Sequence, residues 1–364
     1  MIAKKNLLSS LLKYFKNFFS SEFTPRKINE LEGLAKVDAT LQQLVLEEKL
    51  PGISVTILSK GKHILNKAYG YAAIEEKAII HTSKTVFRIA SISKCITALA
   101  FGKMVEEGIL DWDDSFYKHV TDYPQKKHDF TLKQLASHTA GIRAYRGKEF
   151  GLNKPFSIEE SLSVFKNDPL VFEPGKGYLY NSFDFVLLSL AMEKASGVPF
   201  QDYVKEKILD PLEMTTTFSL SKEQSSILEN QAQPYTKNRT GFKKAMQVNN
   251  FYKLAGGGYI ASSEDIAKLG EAILNKNLLK SETFKEILTA QYINNTSTYY
   301  GLGFQVSEDK EGRPFVGHVG SSVGAYSNLF VYPKEKLVVA ILVNCTDPKI
   351  QETLDEMVTN LIRN

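Results

Sequence analysis

Apolar and polar positions along this chain change period several times, and each change predicts an element. From Ile28 to Glu48 the residues Leu31, Leu34, Val37, Leu41, Leu44 and Val45 fall on one side of a helix. Pro51-Gly52 breaks it. Ile53–Leu58 then alternates with period two, and across Lys60-Gly61 the run His63–Gly70 returns as its hairpin partner. Between Cys95 and Glu107 apolar residues recur at three- and four-residue steps, predicting a largely buried helix that stops at Gly108. Phe130–Gly141 reads as a short helix with Thr131 as its N-cap. Ile158–Leu212 reads as helical with interruptions at Pro169, Pro174-Gly175 and Gly197-Val198-Pro199, and residues 220–253 read as polar loop. Short strand patterns return at Gly257–Ile260, Leu302–Val306, Phe315–His318, Ser327–Val331 and Leu337–Val343, followed by a terminal helix over Glu352–Ile362.

Strands at both ends with helices between them predict an α/β (α+β) sandwich. Its mainly antiparallel sheet is assembled from the two chain ends, about residues 28–80 and 255–364, and flanked by helices. An all-helical insertion occupies about residues 81–254. There is no internal repeat.

Composition narrows the class. The 364 residues are 43% hydrophobic and 24% charged, ordinary for a globular chain with a sizeable core. The net charge of +4 is spread along the sequence and argues against nucleic acid as a partner. Cys95 and Cys345 read as small buried hydrophobes. The six histidines form no ligand-spaced cluster, so neither a metal site nor a cofactor is expected.

Residues 1–27 form a separate unit, an amphipathic basic segment and a connector. Lys4, Lys5, Lys13 and Lys16 face no acid before Ser21, and Leu8, Leu11, Leu12, Phe15, Phe18 and Phe19 share one helical face. Three readings stay open: a helix packed on the main domain, a peripheral membrane contact through residues 1–21, or an organelle-targeting segment. There is no clear secretory signal, so a cytoplasmic or membrane-peripheral location is expected.

Three stretches carry candidate chemistry. Ser91 and Lys94 lie three residues apart at the head of the Cys95–Glu107 helix, close enough for the amine to approach the hydroxyl. A serine needs a base before it is nucleophilic, and a partly buried lysine can become that base. The same spacing also describes an N-cap serine with a solvated lysine. Tyr180 stands before the buried helix that starts at Phe183. A lysine ammonium beside it would favour the phenolate and lower a reference pKa of about 10. Gly317–Gly324 joins two strands and carries His318, Gly320 and Ser321 on an edge where a substrate backbone can lie close.

Read in order, Ser-x-x-Lys, Tyr-x-Ser and His-x-Gly resemble the serine β-lactamase and penicillin-binding-protein superfamily. The similarity is to its class C β-lactamase-like branch of esterases, D-aminopeptidases and mitochondrial β-lactamase-like serine proteases. Further matches are Pro51-Gly52, Gly108-Ile109-Leu110-Asp111, Leu135–Gly141, Ala255–Gly258 with Ser262–Asp265, and Tyr300–Gly303. The resemblance spans roughly residues 35–364 and implies a β-lactamase/transpeptidase-like fold. It implies Ser91 as the acylated nucleophile, Lys94 as its base and Tyr180 as the catalytic tyrosine. It also implies an oxyanion hole from the backbone N–H groups of Ser91 and Ser321, with Ser182, His318 and Gly320 contacting substrate. His318 stands where true β-lactamases carry lysine, and Ser182 where many members carry asparagine.

The expectation is a serine hydrolase acting on a small ester or peptide. A true β-lactamase or D,D-carboxypeptidase is the weaker form of that reading. The alternative from another class is a non-catalytic binding or sensor protein that keeps the fold.

Overall fold

The computed structural model describes residues 28–220 and 228–363. The basic segment expected over residues 1–21 lies outside the described residues. The chain opens with α1 (Gly33–Leu46), which buries Val37, Leu41 and Leu44 of the predicted stripe. Strands β1 (Gly52–Ser59), β2 (Lys62–Ala73) and β3 (Ala78–Ile79) follow. The short β4 (Phe87–Arg88) leads into α2 (Ser93–Glu106), α3 (Leu132–Ala136) and α4 (Phe183–Ser196). Next come β5 (Phe218–Ser219), β6 (Tyr235–Asn238), β7 (Gly241–Lys244), β8 (Tyr259–Ala261) and α5 (Ser263–Asn275). The chain closes with β9 (Tyr292–Ile293), β10 (Thr296–Ser297), β11 (Gln305–Glu308), β12 (Pro314–Ser322), β13 (Ala325–Tyr332), β14 (Leu337–Val343) and α6 (Gln351–Arg363).

Seven strands make the main sheet in the order β11-β12-β13-β14-β1-β2-β3, every neighbour antiparallel. β1 lies between β14 and β2, with Ile53 opposite Val343 on one side and Tyr69 on the other. The first and last strands of the sequence therefore meet at the sheet centre. Ile53, Val55 and Ile57 pack on one face with Val37 and Leu41 of α1 and Leu354 and Val358 of α6. On the other face Val338, Ala340 and Leu342 meet Ile266 and Leu269 of α5. Covering helices on both faces bury even the polar positions of β1. The Ser54 and Thr56 hydroxyls are 2.8 and 2.9 Å from Ser263 Oγ, which satisfies them beneath α5.

α2 differs from an amphipathic surface helix. Ser93 to Gly102 are all buried, because the helix runs between the sheet layer and the helical region. Three readings need correction. Residues 165–182 contain no helix; instead they run extended beside residues 138–141, with bonds from Val171 N to Gly141 O, Gly175 N to Thr139 O and Leu179 N to His138 O. Pro169 and Pro174 remove donors that a helix would need, and Arg143 ties this segment through Asp168 at 2.6 Å. The expected loop at 220–253 holds the β6–β7 hairpin. The Gly257–Ile260 pattern forms β8, which joins β4 and β5 in a separate small sheet rather than the main one.

Candidate active site

Ser91 sits in a single tight turn, Ala90–Ile92, between β4 and α2. Ala90 adopts φ +47°, a left-handed conformation costly for a residue with a Cβ, and so the turn is held by its surroundings. The Ser327 hydroxyl on β13 donates to the Ile89 carbonyl at 2.7 Å. A Cβ built on Gly320 would stand 2.6 Å from that same carbonyl and 3.1 Å from the Ala90 Cβ. Glycine at 320 is what lets β12 approach the turn.

Lys94 lies in the first turn of α2 and is fully buried. Its Nζ donates to the Gly256 carbonyl at 2.7 Å and lies 3.4 Å from Ser91 Oγ. Ser93 and Thr97 hold the same strip of chain: Ser93 Oγ accepts from Tyr259 N, and Thr97 Oγ1 donates to Ala255 O. Burial pushes the Lys94 amine down to about 7, with the Asp184 carboxyl opposing that fall and Lys253 adding to it.

Tyr180 Oη donates to Ser91 Oγ at 2.7 Å. The Lys94 ammonium position faces the ring itself, 4.7 Å from its centroid, as a cation–π contact. Burial pushes the phenol well above its ordinary range, and the bond to Ser91 offsets only part of that. The expected lowering toward phenolate is therefore corrected. Although the residue is 37% exposed, the shift follows the crowding of its phenol by the buried Lys94, His138 and Tyr300.

His318 is buried on β12. Its Nδ1 donates to Val319 O at 2.6 Å, which leaves Nε2 to accept from the Tyr300 hydroxyl at 2.9 Å. Burial and the nearby Lys94 charge push its pKa down to about 3. The position thus carries no positive charge at neutral pH. The Val319 N–H donates sideways to Gln305 Oε1 rather than to β13. By the two-residue alternation of an antiparallel strand, the Ser321 N–H points to that same open edge. Ser182 packs on Gly256, the acceptor of Lys94, at 3.3 Å from where a Cβ of that glycine would stand. A cavity of about 320 Å³ opens beside His318 and Tyr300, lined also by Tyr178, Gln305, Val319 and Phe330.

Four residues at the site had no role assigned from sequence. Tyr300 fixes the His318 tautomer. His138 and Asp184 form a fully buried pair, Nδ1 to Oδ2 at 2.8 Å. Lys253 is buried with its ammonium near the rings of Tyr145, Phe150 and Tyr252, donating to Phe150 O. Asp184 could have been found: it is the lone charge between Phe183 and Met192, and a buried acid needs partners. Among the described residues no His, Cys, Asp and Glu group is disposed to hold a metal ion.

A family model described as Beta-lactamase matches residues 37–360. The bovine mitochondrial serine beta-lactamase-like protein LACTB is 30% identical, over 81% of this chain and 71% of that protein. Protein flp of Staphylococcus aureus strain MW2 is 25% identical over 89% of this chain and 66% of that protein. The octameric penicillin-binding protein homologue from Pyrococcus abyssi superposes with TM-score 0.77 at 26% identity, over 91% of this chain and 78% of that one. The D-amino acid amidase from Ochrobactrum anthropi shares the fold, with TM-score 0.79 at 18% identity over 90% and 98%.

Proposed function

This chain belongs to the beta-lactamase family of serine hydrolases, and we propose that it acts through a Ser91 acyl-enzyme on a small ester or peptide. One observation carries the reading: Ser91 Oγ lies between the Tyr180 hydroxyl at 2.7 Å and the buried Lys94 amine at 3.4 Å. An amine with a pKa of about 7 is substantially neutral at physiological pH and can accept a proton.

The chemistry follows from those positions. Ser91 Oγ attacks the carbonyl carbon while its proton passes to Lys94 Nζ. The backbone N–H groups of Ser91 and Ser321 receive the developing oxyanion, where one such donor is worth about 3 kcal/mol. Tyr180, a neutral phenol, delivers a proton to the departing oxygen or nitrogen, and Lys94 restores it. Water then enters by the reverse path and frees the acyl group.

The neutral His318 supports an uncharged leaving-group side. A substrate carboxylate placed there would meet no cation, and both His318 ring nitrogens are already bonded, which disfavours carboxylate-bearing β-lactams. Ester cleavage is placed before amide cleavage, since the alkoxide leaves more readily.

Intact-protein mass after a fluorophosphonate probe tests the reading. One adduct on Ser91, absent from Ser91→Ala, is expected. A folded wild type that stays unmodified overturns it in favour of a non-catalytic binding role. Paired p-nitrophenyl esters and peptide amides then order the two activities.

A further inference from the structure

The catalytic reading uses Ser91, Lys94 and Tyr180 and leaves the buried pair behind them unexplained. Asp184 and His138 are both wholly removed from solvent. Asp184 stands in the first turn of α4, next to Phe185, whose ring lies 5.3 Å from Lys94 Nζ. The His138 ring lies 4.5 Å from the Tyr180 ring, whose face Lys94 Nζ approaches at 4.7 Å. His138 is thus packed against Tyr180, and Phe185 beside Asp184 borders Lys94.

The Asp184 carboxyl is held in place. Its Oδ2 takes the Asn181 amide at 2.6 Å and bonds His138 Nδ1 at 2.8 Å, and its own backbone N–H donates to Asn181 Oδ1 at 2.8 Å. Asn181 is fixed in turn by donating to Ile142 O and Leu179 O. Asp184 Oδ1 and His138 Nε2 remain buried without a hydrogen-bond partner. A packing role alone gives no reason to place an acid here, because an apolar residue of similar size would fill the space without that desolvation.

We propose that Asp184, oriented by His138 and Asn181, is a positioning residue: its buried carboxyl is the counter-charge that sets the basicity of Lys94 during proton transfer from Ser91. This rests on the serine-hydrolase reading above. When Lys94 takes the serine proton, a cation forms in a site that water does not reach. An ionised Asp184 carboxylate in the same enclosure stabilises it and keeps its own charge through the transfer.

The surrounding charges leave Asp184 that role. Lys94 meets attraction from Asp184 and repulsion from Lys253, while Lys253 in turn meets repulsion from Arg88. His138 and His318 are held neutral by burial, with the Lys94 charge acting in the same direction. Burial likewise keeps Cys95 a thiol and Tyr180 and Tyr300 phenols. Tyr123 and Tyr178, which also face the Asp184 charge, are raised and neutral. Asp184 itself is pushed well above an ordinary carboxylate by burial, with Asn181 and Lys94 opposing.

Two measurements test this. The first is the rate of fluorophosphonate labelling of Ser91 against pH, in wild type and Asp184→Asn. Removing the acid weakens Lys94 as a base, so the midpoint should fall by about one pH unit and the plateau by roughly tenfold. An unchanged midpoint in a labelled, folded variant overturns the proposal, since a merely structural acid would leave it where it is. The second needs no labelling. Lys94→Met strands a buried acid, so adding Asp184→Asn to it should raise the melting temperature above that of Lys94→Met alone. A double variant that melts no higher than Lys94→Met overturns the proposal, even if Asp184→Asn alone fails to fold or Ser91 never reacts.

Discussion

The Ser327 hydroxyl donates to the Ile89 carbonyl at 2.7 Å, joining residues 238 positions apart in the chain. Through this bond β13 grips the backbone two residues before the candidate nucleophile. The grip needs the close passage of Gly320, because a Cβ there would fall 2.2 Å from Ser327 Oγ. Gly320→Ala is expected to lower stability by about 1–3 kcal/mol through overpacking. It should lower turnover of the better of the ester and amide substrates more than the stability loss explains, by displacing Ser321 from Ser91. Thermal melts read against kcat/KM check this. A variant that melts early yet keeps full activity would show that the close approach serves folding alone.

The Lys94 amine at about 7 sets a pH dependence. Below that value the amine is protonated and cannot accept the Ser91 proton, so kcat/KM should rise with pH and reach half its plateau near 7. His318, at about 3, is already neutral and adds no second limb across roughly pH 5 to 8. A profile flat through this range would remove Lys94 as the base.

Tyr180→Phe deletes one oxygen and keeps the ring contacts with His138 and Tyr300. Folding should survive, while kcat/KM for the better of the ester and amide substrates falls by about 10²–10⁴-fold, the scale of a lost general acid–base group. Steady-state kinetics with melting curves separate the two effects.

Tyr300→Phe removes the donor to His318 Nε2, 2.9 Å away in a buried setting. An orphaned buried acceptor costs about 1–3 kcal/mol. A lower melting temperature is expected, with a rise in KM larger than the fall in kcat, because the strand edge that would hold substrate is loosened rather than the proton path. Loss confined to kcat would instead place Tyr300 in the chemistry.

Both thiols are buried and pushed above the ordinary cysteine range, Cys345 to about 11. A thiolate-seeking reagent should leave the native protein untouched and titrate two cysteines after denaturation. Rapid native reaction of either would show an opening that this packing does not contain.

Much of the architecture was legible in the chain because it depends on local periodicity. The stripe over Val37, Leu41 and Leu44, the alternation of β1 and the apolar run of β14 each specify an element within a few residues. The antiparallel sheet from both chain ends and the Ser91/Lys94 spacing followed from the same local order. Other features depend on which distant segments meet. The extended path of residues 165–182 is set by Arg143 and the 138–141 strip. The upward shift of the Tyr180 phenol comes from burial, and the neutrality of His318 from burial and the nearby Lys94 charge. The sequence by itself determined most of the elements and the spacing of the candidate pair Ser91 and Lys94, since both are encoded over a few residues. Only the tertiary structure decided the charge states, because desolvation and pairing belong to the enclosure that α2, α4 and β12 build together around Lys94.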